Sequence, residues 1–140
     1  MIHSGMRRSL PTALAAFLIV WTVPARAGDD ALAGGWQQIE SNAGACPQCR
    51  ISIDPHGASL TVTANNGWAA TVAAGEGDGL VTARGRGSWA SHLPGAMAGK
   101  GFNVDFILQG QRLYMWMSVD TGQGSRRTVR GVFGRIWTGV

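Results

Sequence analysis

The chain has 140 residues, of which 14% are charged and 45% hydrophobic, with 21 glycines. That length fits one domain, the hydrophobic content excludes a disordered chain, and glycine without a G-X-Y period excludes collagen. The formal net charge is +4, an excess carried largely by the first segment.

Arg7 and Arg8 precede an apolar run from Leu10 to Val23, and Ala25-Arg26-Ala27 follows with small-x-small spacing. This is the layout of a secretory signal peptide. The expectation is a signal over residues 1–27 and a single domain over 28–140. The apolar run is shorter than the ~20 residues that a membrane-crossing helix needs, so no stable membrane insertion is expected after cleavage. Removing residues 1–27 takes away three arginines and no acid, leaving nine basic against eight acidic residues, a net of +1. A nucleic-acid partner is therefore not expected, because that role needs a concentrated basic surface. Export implies a periplasmic or secreted location, where Cys46 and Cys49 are expected to form a disulfide.

Gly28 to Ala33 reads as a short acidic leader, and from Gly34 onward short β-like runs alternate with turn residues. Trp36 to Ile39 opens the first run, and Arg50 to Asp54 places Ile51 and Ile53 on one face. A turn is expected at Pro55-His56-Gly57, after which Leu60, Val62 and Ala64 resume the alternation. Asn65-Asn66-Gly67 is a hairpin signal, since Asn and Gly tolerate positive φ. Trp68, Ala70 and Val72 share the next face. Gly75 to Gly79 reads as another turn, and Leu80 to Trp89 as a further run. Ser91 to Lys100 reads as a longer loop. Phe102, Val104, Phe106 and Leu108 alternate cleanly, placing Asp105 on the opposite face or against an arginine. Gly110-Gln111 turns the chain into Leu113, Met115, Met117 and Val119. Arg126 to Trp137 forms the last run, in which the arginines suit an edge that resists strand addition or an anionic envelope surface.

Seven or eight short strands with tight turns, and no convincing amphipathic helix, predict an all-β fold. The preferred architecture is a small antiparallel up-and-down β-barrel, whose closure removes exposed edges. An immunoglobulin-like sandwich is the alternative, but the Cys…Trp…Cys spacing of a true immunoglobulin domain is absent.

Gly34-Gly35-Trp36 places a G-x-W at the start of the first strand. This resembles the opening of the calycins, the superfamily of lipocalins, avidins and secreted inhibitors of serralysin-type metalloproteases. The resemblance implies that Trp36 closes one end of the barrel beneath an arginine of the last strand, Arg135 or Arg130, and guanidinium stacks well on indole. Leu32 to Trp36, followed by Cys46 and Arg50 to Ile53, looks most like the protease inhibitors. That likeness implies insertion of the leader, with Asp29, Asp30 and Leu32, into a partner's cleft. The inhibitors' second cysteine lies well downstream, whereas here it is Cys49.

Cys46-Pro47-Gln48-Cys49 has the spacing of dithiol oxidoreductases and of half a zinc site. The strand-like Arg50-Ile51-Ser52-Ile53 that follows removes the helix N-terminus that would activate a thiol, and no second C-x-x-C exists for zinc. Met115 and Met117, with Met97, His56 and His92 elsewhere, offer soft ligands suited to reduced copper, or simply a core stripe. Trp36, Trp68, Trp89 and Trp116 are candidates to line a ligand cavity, since small barrels hold one small molecule. Lipase, zinc-protease and phosphate-loop motifs are all missing. The expected function is non-catalytic binding of a small apolar ligand or an envelope or secreted protein, without a cofactor. The alternative is a redox or copper-handling protein using Cys46 and Cys49.

Overall fold

The computed structural model describes residues 11, 13–20 and 27–137. The expected signal segment thus lies mostly outside the described residues. Residues 13–20 have no regular secondary structure, and Leu14, Phe17, Leu18, Ile19 and Val20 are 73–92% exposed. The barrel packs without them. No helix among the described residues is long and apolar enough to cross a membrane.

A short helix, α1 (Ala27–Leu32), leads into eight strands: β1 (Gly34–Ser41), β2 (Arg50–His56), β3 (Ser59–Ala64), β4 (Trp68–Gly77), β5 (Leu80–Trp89), β6 (Gly101–Gln109), β7 (Arg112–Gly122) and β8 (Ser125–Arg135). Each strand pairs antiparallel with the next, and β8 returns to β1, so the sheet closes into an up-and-down barrel. Closure excludes the sandwich. It also corrects the reading of the arginine run as an edge: β8 is paired on both sides, so it has no free edge to guard.

The alternation expected from sequence is the alternation observed. In β6 and β7, Phe102, Val104, Phe106, Leu113, Met115, Met117 and Val119 point inward and are buried. Side chains of this size fill most of an eight-stranded interior. The wall is closely packed at β5, where Gly87 faces Phe102 across the strand pair. A Cβ on Gly87 would lie 2.6 Å from Phe102 Cζ and would also meet the carbonyl oxygen of Ala69. Only glycine permits this close approach.

Three local expectations are revised. The acidic leader is helical, where no helix was expected: Asp29 and Asp30 occupy the first turn, where carboxylates suit a helix, and Leu32 anchors it in the core. The expected turn at Gly75 to Gly79 shrinks to Asp78-Gly79, with φ of 53° and 76°, because β4 and β5 stay paired as far as Gly77 and Leu80. Two central residues at positive φ are what a tight hairpin turn of this twist requires. Similarly, Pro55 and His56 belong to β2, and the turn begins at Gly57.

Candidate functional site

The up-and-down path sorts the connections into two ends. At one end lie α1 and the short turns after β2, β4 and β6. At the other lie the long connections 42–49 and 90–100, with the tight turns after β3 and β7.

The first end is plugged. Trp36 is fully buried, and its indole N–H donates to the carbonyl of Leu32 at 2.9 Å. The Arg135 guanidinium lies 4.1 Å from the Trp36 ring centroid. Arg135 also donates to the carbonyl of Ala33 at 2.7 Å and to that of Ala31. Partial desolvation lowers its pKa below the ordinary guanidinium value; a guanidinium in a protein nevertheless keeps its proton. The arginine thus stacks on the aromatic ring while satisfying carbonyls that the end of α1 leaves open. Of the two arginines considered for this position, the geometry selects Arg135; Arg130 points outward beside Trp116.

Of the three leader residues expected to meet a partner, Leu32 is fully buried in the barrel core, Asp29 is half-buried and Asp30 is exposed. The leader is therefore stitched to the barrel through Leu32, Trp36 and Arg135, not held free of it.

The other end is a cup of about 340 Å³. Its floor is Ile51, Met115, Met117 and Phe133, its walls include Trp68, Trp89 and Val129, and its rim carries Gln38, Arg50, Asn66, Met97 and Arg127. The 42–49 connection forms one lip. Cys46 and Cys49 are joined in a disulfide, with Cα atoms 5.3 Å apart. Side chains from the neighbouring strand and turn hold that lip down. Gln37 donates to the carbonyls of Pro47 at 2.7 Å and Cys49 at 3.0 Å, and Asn65 donates to that of Gln48 at 2.8 Å.

The four tryptophans proposed as cavity lining do not converge. Trp68 and Trp89 wall the cup, with ring centroids 6.5 Å apart, and Phe102 meets Trp68 edge-on at 5.6 Å. Trp36 sits in the opposite plug, and Trp116 lies on the outer face, 38% exposed. The Trp89 indole nitrogen is buried without a hydrogen-bond partner among the described residues. An unmet donor of this kind is uncommon, because leaving it unpaired costs about 1–3 kcal/mol.

Arg127 was not expected in a ligand cavity, and Met97 was expected only as a soft metal ligand. Arg127 had a legible signal: it continues the inward series Val129, Gly131 and Phe133, and pairs with inward-facing Val119. Treating the arginine run as one surface concealed it. Met97 enters the cup from the 90–100 connection, whose path alternation cannot predict. Met115 and Met117 share the inward face, as the core reading required, while also flooring the cup. No cluster of three His, Cys, Asp or Glu residues able to hold a metal occurs among the described residues. Asp105 faces outward and pairs with Arg84 at 2.5 Å.

Comparison with protein-family models, curated proteins and solved structures finds no match.

Proposed function

We propose that this chain is an exported, non-catalytic binding protein of calycin-like type that holds a small apolar ligand in the open cup. The carrying observation is the contrast between the ends: one is plugged by Trp36 and Arg135, while the other opens onto an apolar floor between two tryptophans. Concave apolar sites with a few polar groups at the margin suit small ligands. The calycin-like assignment is supported by the G-x-W opening, the closed eight-stranded barrel and the arginine over the tryptophan. Export is supported by the pattern of residues 1–27 and agrees with a disulfide at Cys46 and Cys49. The inhibitor-like mechanism has less support, because inserting the leader elsewhere would withdraw Leu32 from the core.

Titration with the apolar fluorophore N-phenyl-1-naphthylamine tests the proposal. The expected result is saturable one-to-one binding that Trp89→Ala weakens at least tenfold. Absence of saturable binding to the folded protein would overturn it.

One observation favours a second reading, copper handling. Cys46, Cys49, Met97, Met115 and Met117 supply all the sulfur of residues 27–140, and all five line the cup. Thiolate and thioether are the ligands that reduced copper selects. An exported dithiol reductant would first deliver two electrons and two protons to the disulfide, and metal uptake would then release the thiol protons. A copper-sized mass increment on the reduced protein, lost in the Cys46→Ser/Cys49→Ser variant, is the expected result. No increment would remove this reading.

A further inference from the structure

The charges of the barrel are segregated between its two halves, which neither the net charge nor the cup accounts for. Strands β5 to β8 contain seven arginines and two acids, Asp105 and Asp120, a net of +5. The remaining residues from 27 onward contain Arg50 and Lys100 against six acids, Asp29, Asp30, Glu40, Asp54, Glu76 and Asp78, a net of −4. A domain of almost no net charge is therefore strongly dipolar.

Register places five of those arginines on the outer wall. Arg84, Arg86, Arg112, Arg126 and Arg130 alternate with inward-facing residues, and all five are exposed. One row runs directly across the four strands as Arg84, Asp105, Trp116 and Arg130. Arg84 with Asp105 is the one ion pair among the described residues. Arg126 donates to the hydroxyl and carbonyl of Ser118. Arg86, Arg112 and Arg130 have no carboxylate within ion-pair distance among the described residues. At the centre of this basic wall Trp116 stacks with Tyr114, ring centroids 6.4 Å apart and planes 24° apart.

We propose that the outer wall of β5 to β8 docks on an anionic phospholipid surface. The basic groups on this wall are all arginine, whose planar fork suits phosphate oxygens. Tryptophan and tyrosine settle at the headgroup level of a bilayer, with an apolar body and a polar tip. The wall is the convex exterior of a closed barrel, which meets a flat bilayer along one patch. Single-stranded nucleic acid is instead bound in grooves that track its backbone. Anionic lipid attracts basic residues near its surface strongly enough that each arginine supports affinity roughly fivefold.

The test is co-sedimentation of the processed chain, residues 28–140, with vesicles of phosphatidylglycerol and phosphatidylcholine or of phosphatidylcholine alone. The expected result is binding to the anionic vesicles only, weakening as salt rises. Arg112→Gln/Arg130→Gln should lose about 25-fold in affinity, and Trp116→Ser should lose several-fold without altering the salt dependence. Lys100→Gln, outside the wall, should change binding less than twofold. Far-ultraviolet circular dichroism confirms that each variant keeps the barrel. Equal binding to both vesicle types, an equal loss in Lys100→Gln, or binding to soluble heparin but not to vesicles would each overturn the proposal.

Discussion

The two ends of the barrel are built from the same strands and differ in what covers them. At the plugged end a six-residue helix lays Leu32 onto the core, and Trp36 and Arg135 lock it with hydrogen bonds and a stacked guanidinium. At the open end the covering is a disulfide-closed lip pinned by Gln37 and Asn65, and a cup remains between Trp68 and Trp89. Buried tryptophan therefore does opposite work at the two ends: at one it fills space, and at the other it borders space. The difference teaches that the plugged end secures the fold, while the open end, where we propose the ligand sits, leaves an apolar cup. Substitutions should separate these roles, with stability falling for one set and ligand affinity for the other.

The largest effect is expected at the plug. Trp36→Ala should cost about 3–5 kcal/mol, the range for truncating a buried aromatic, measured as a shifted denaturant midpoint. If the protein stays folded in native buffer, its affinity for an apolar probe should be unchanged. Gly87→Val should destabilise by several kcal/mol as well, because its side chain would strike Phe102 and the carbonyl of Ala69. Next is Arg135→Gln, which removes the stack on Trp36 and two carbonyl contacts; about 2 kcal/mol of stability should be lost. An equally large loss of probe affinity would break the separation between the ends.

At the open end the effects on stability are smaller. Cys46→Ser/Cys49→Ser opens a loop whose ends are only three residues apart in sequence, so chain entropy assigns it about 2 kcal/mol or less. Probe affinity should fall more than stability, because the lip borders the cup. Trp89→Phe is the smallest case. It removes an indole N–H that has no acceptor among the described residues, and stability should change by less than about 1 kcal/mol in either direction.

Most of the barrel was legible in the residues themselves. The period-two runs from Phe102 to Leu108 and from Leu113 to Val119 fix which side chains enter the core, and successive hairpins give the up-and-down order, whereas closure needed the pairing of β8 with β1. The plug was legible through Trp36, although choosing Arg135 over Arg130 needed the register of β8 on β1. The helical leader was hidden because six residues carry too little periodicity to show a face. The cup was half legible: Trp68 and Trp89 were expected to line a cavity, and they do border one. Trp36 and Trp116 were grouped with them by composition alone, and composition does not say which end or face a residue occupies. Met97 depended on a loop path, and the charged outer wall depended on which strands lie side by side.

The most direct test follows the indole N–H signals of the protein by two-dimensional NMR during titration with N-phenyl-1-naphthylamine. The account predicts saturable shifts at Trp68 and Trp89, with Trp36 unmoved in its bond to Leu32. Shifts at Trp36 with Trp68 and Trp89 silent would place the ligand at the plugged end and contradict it.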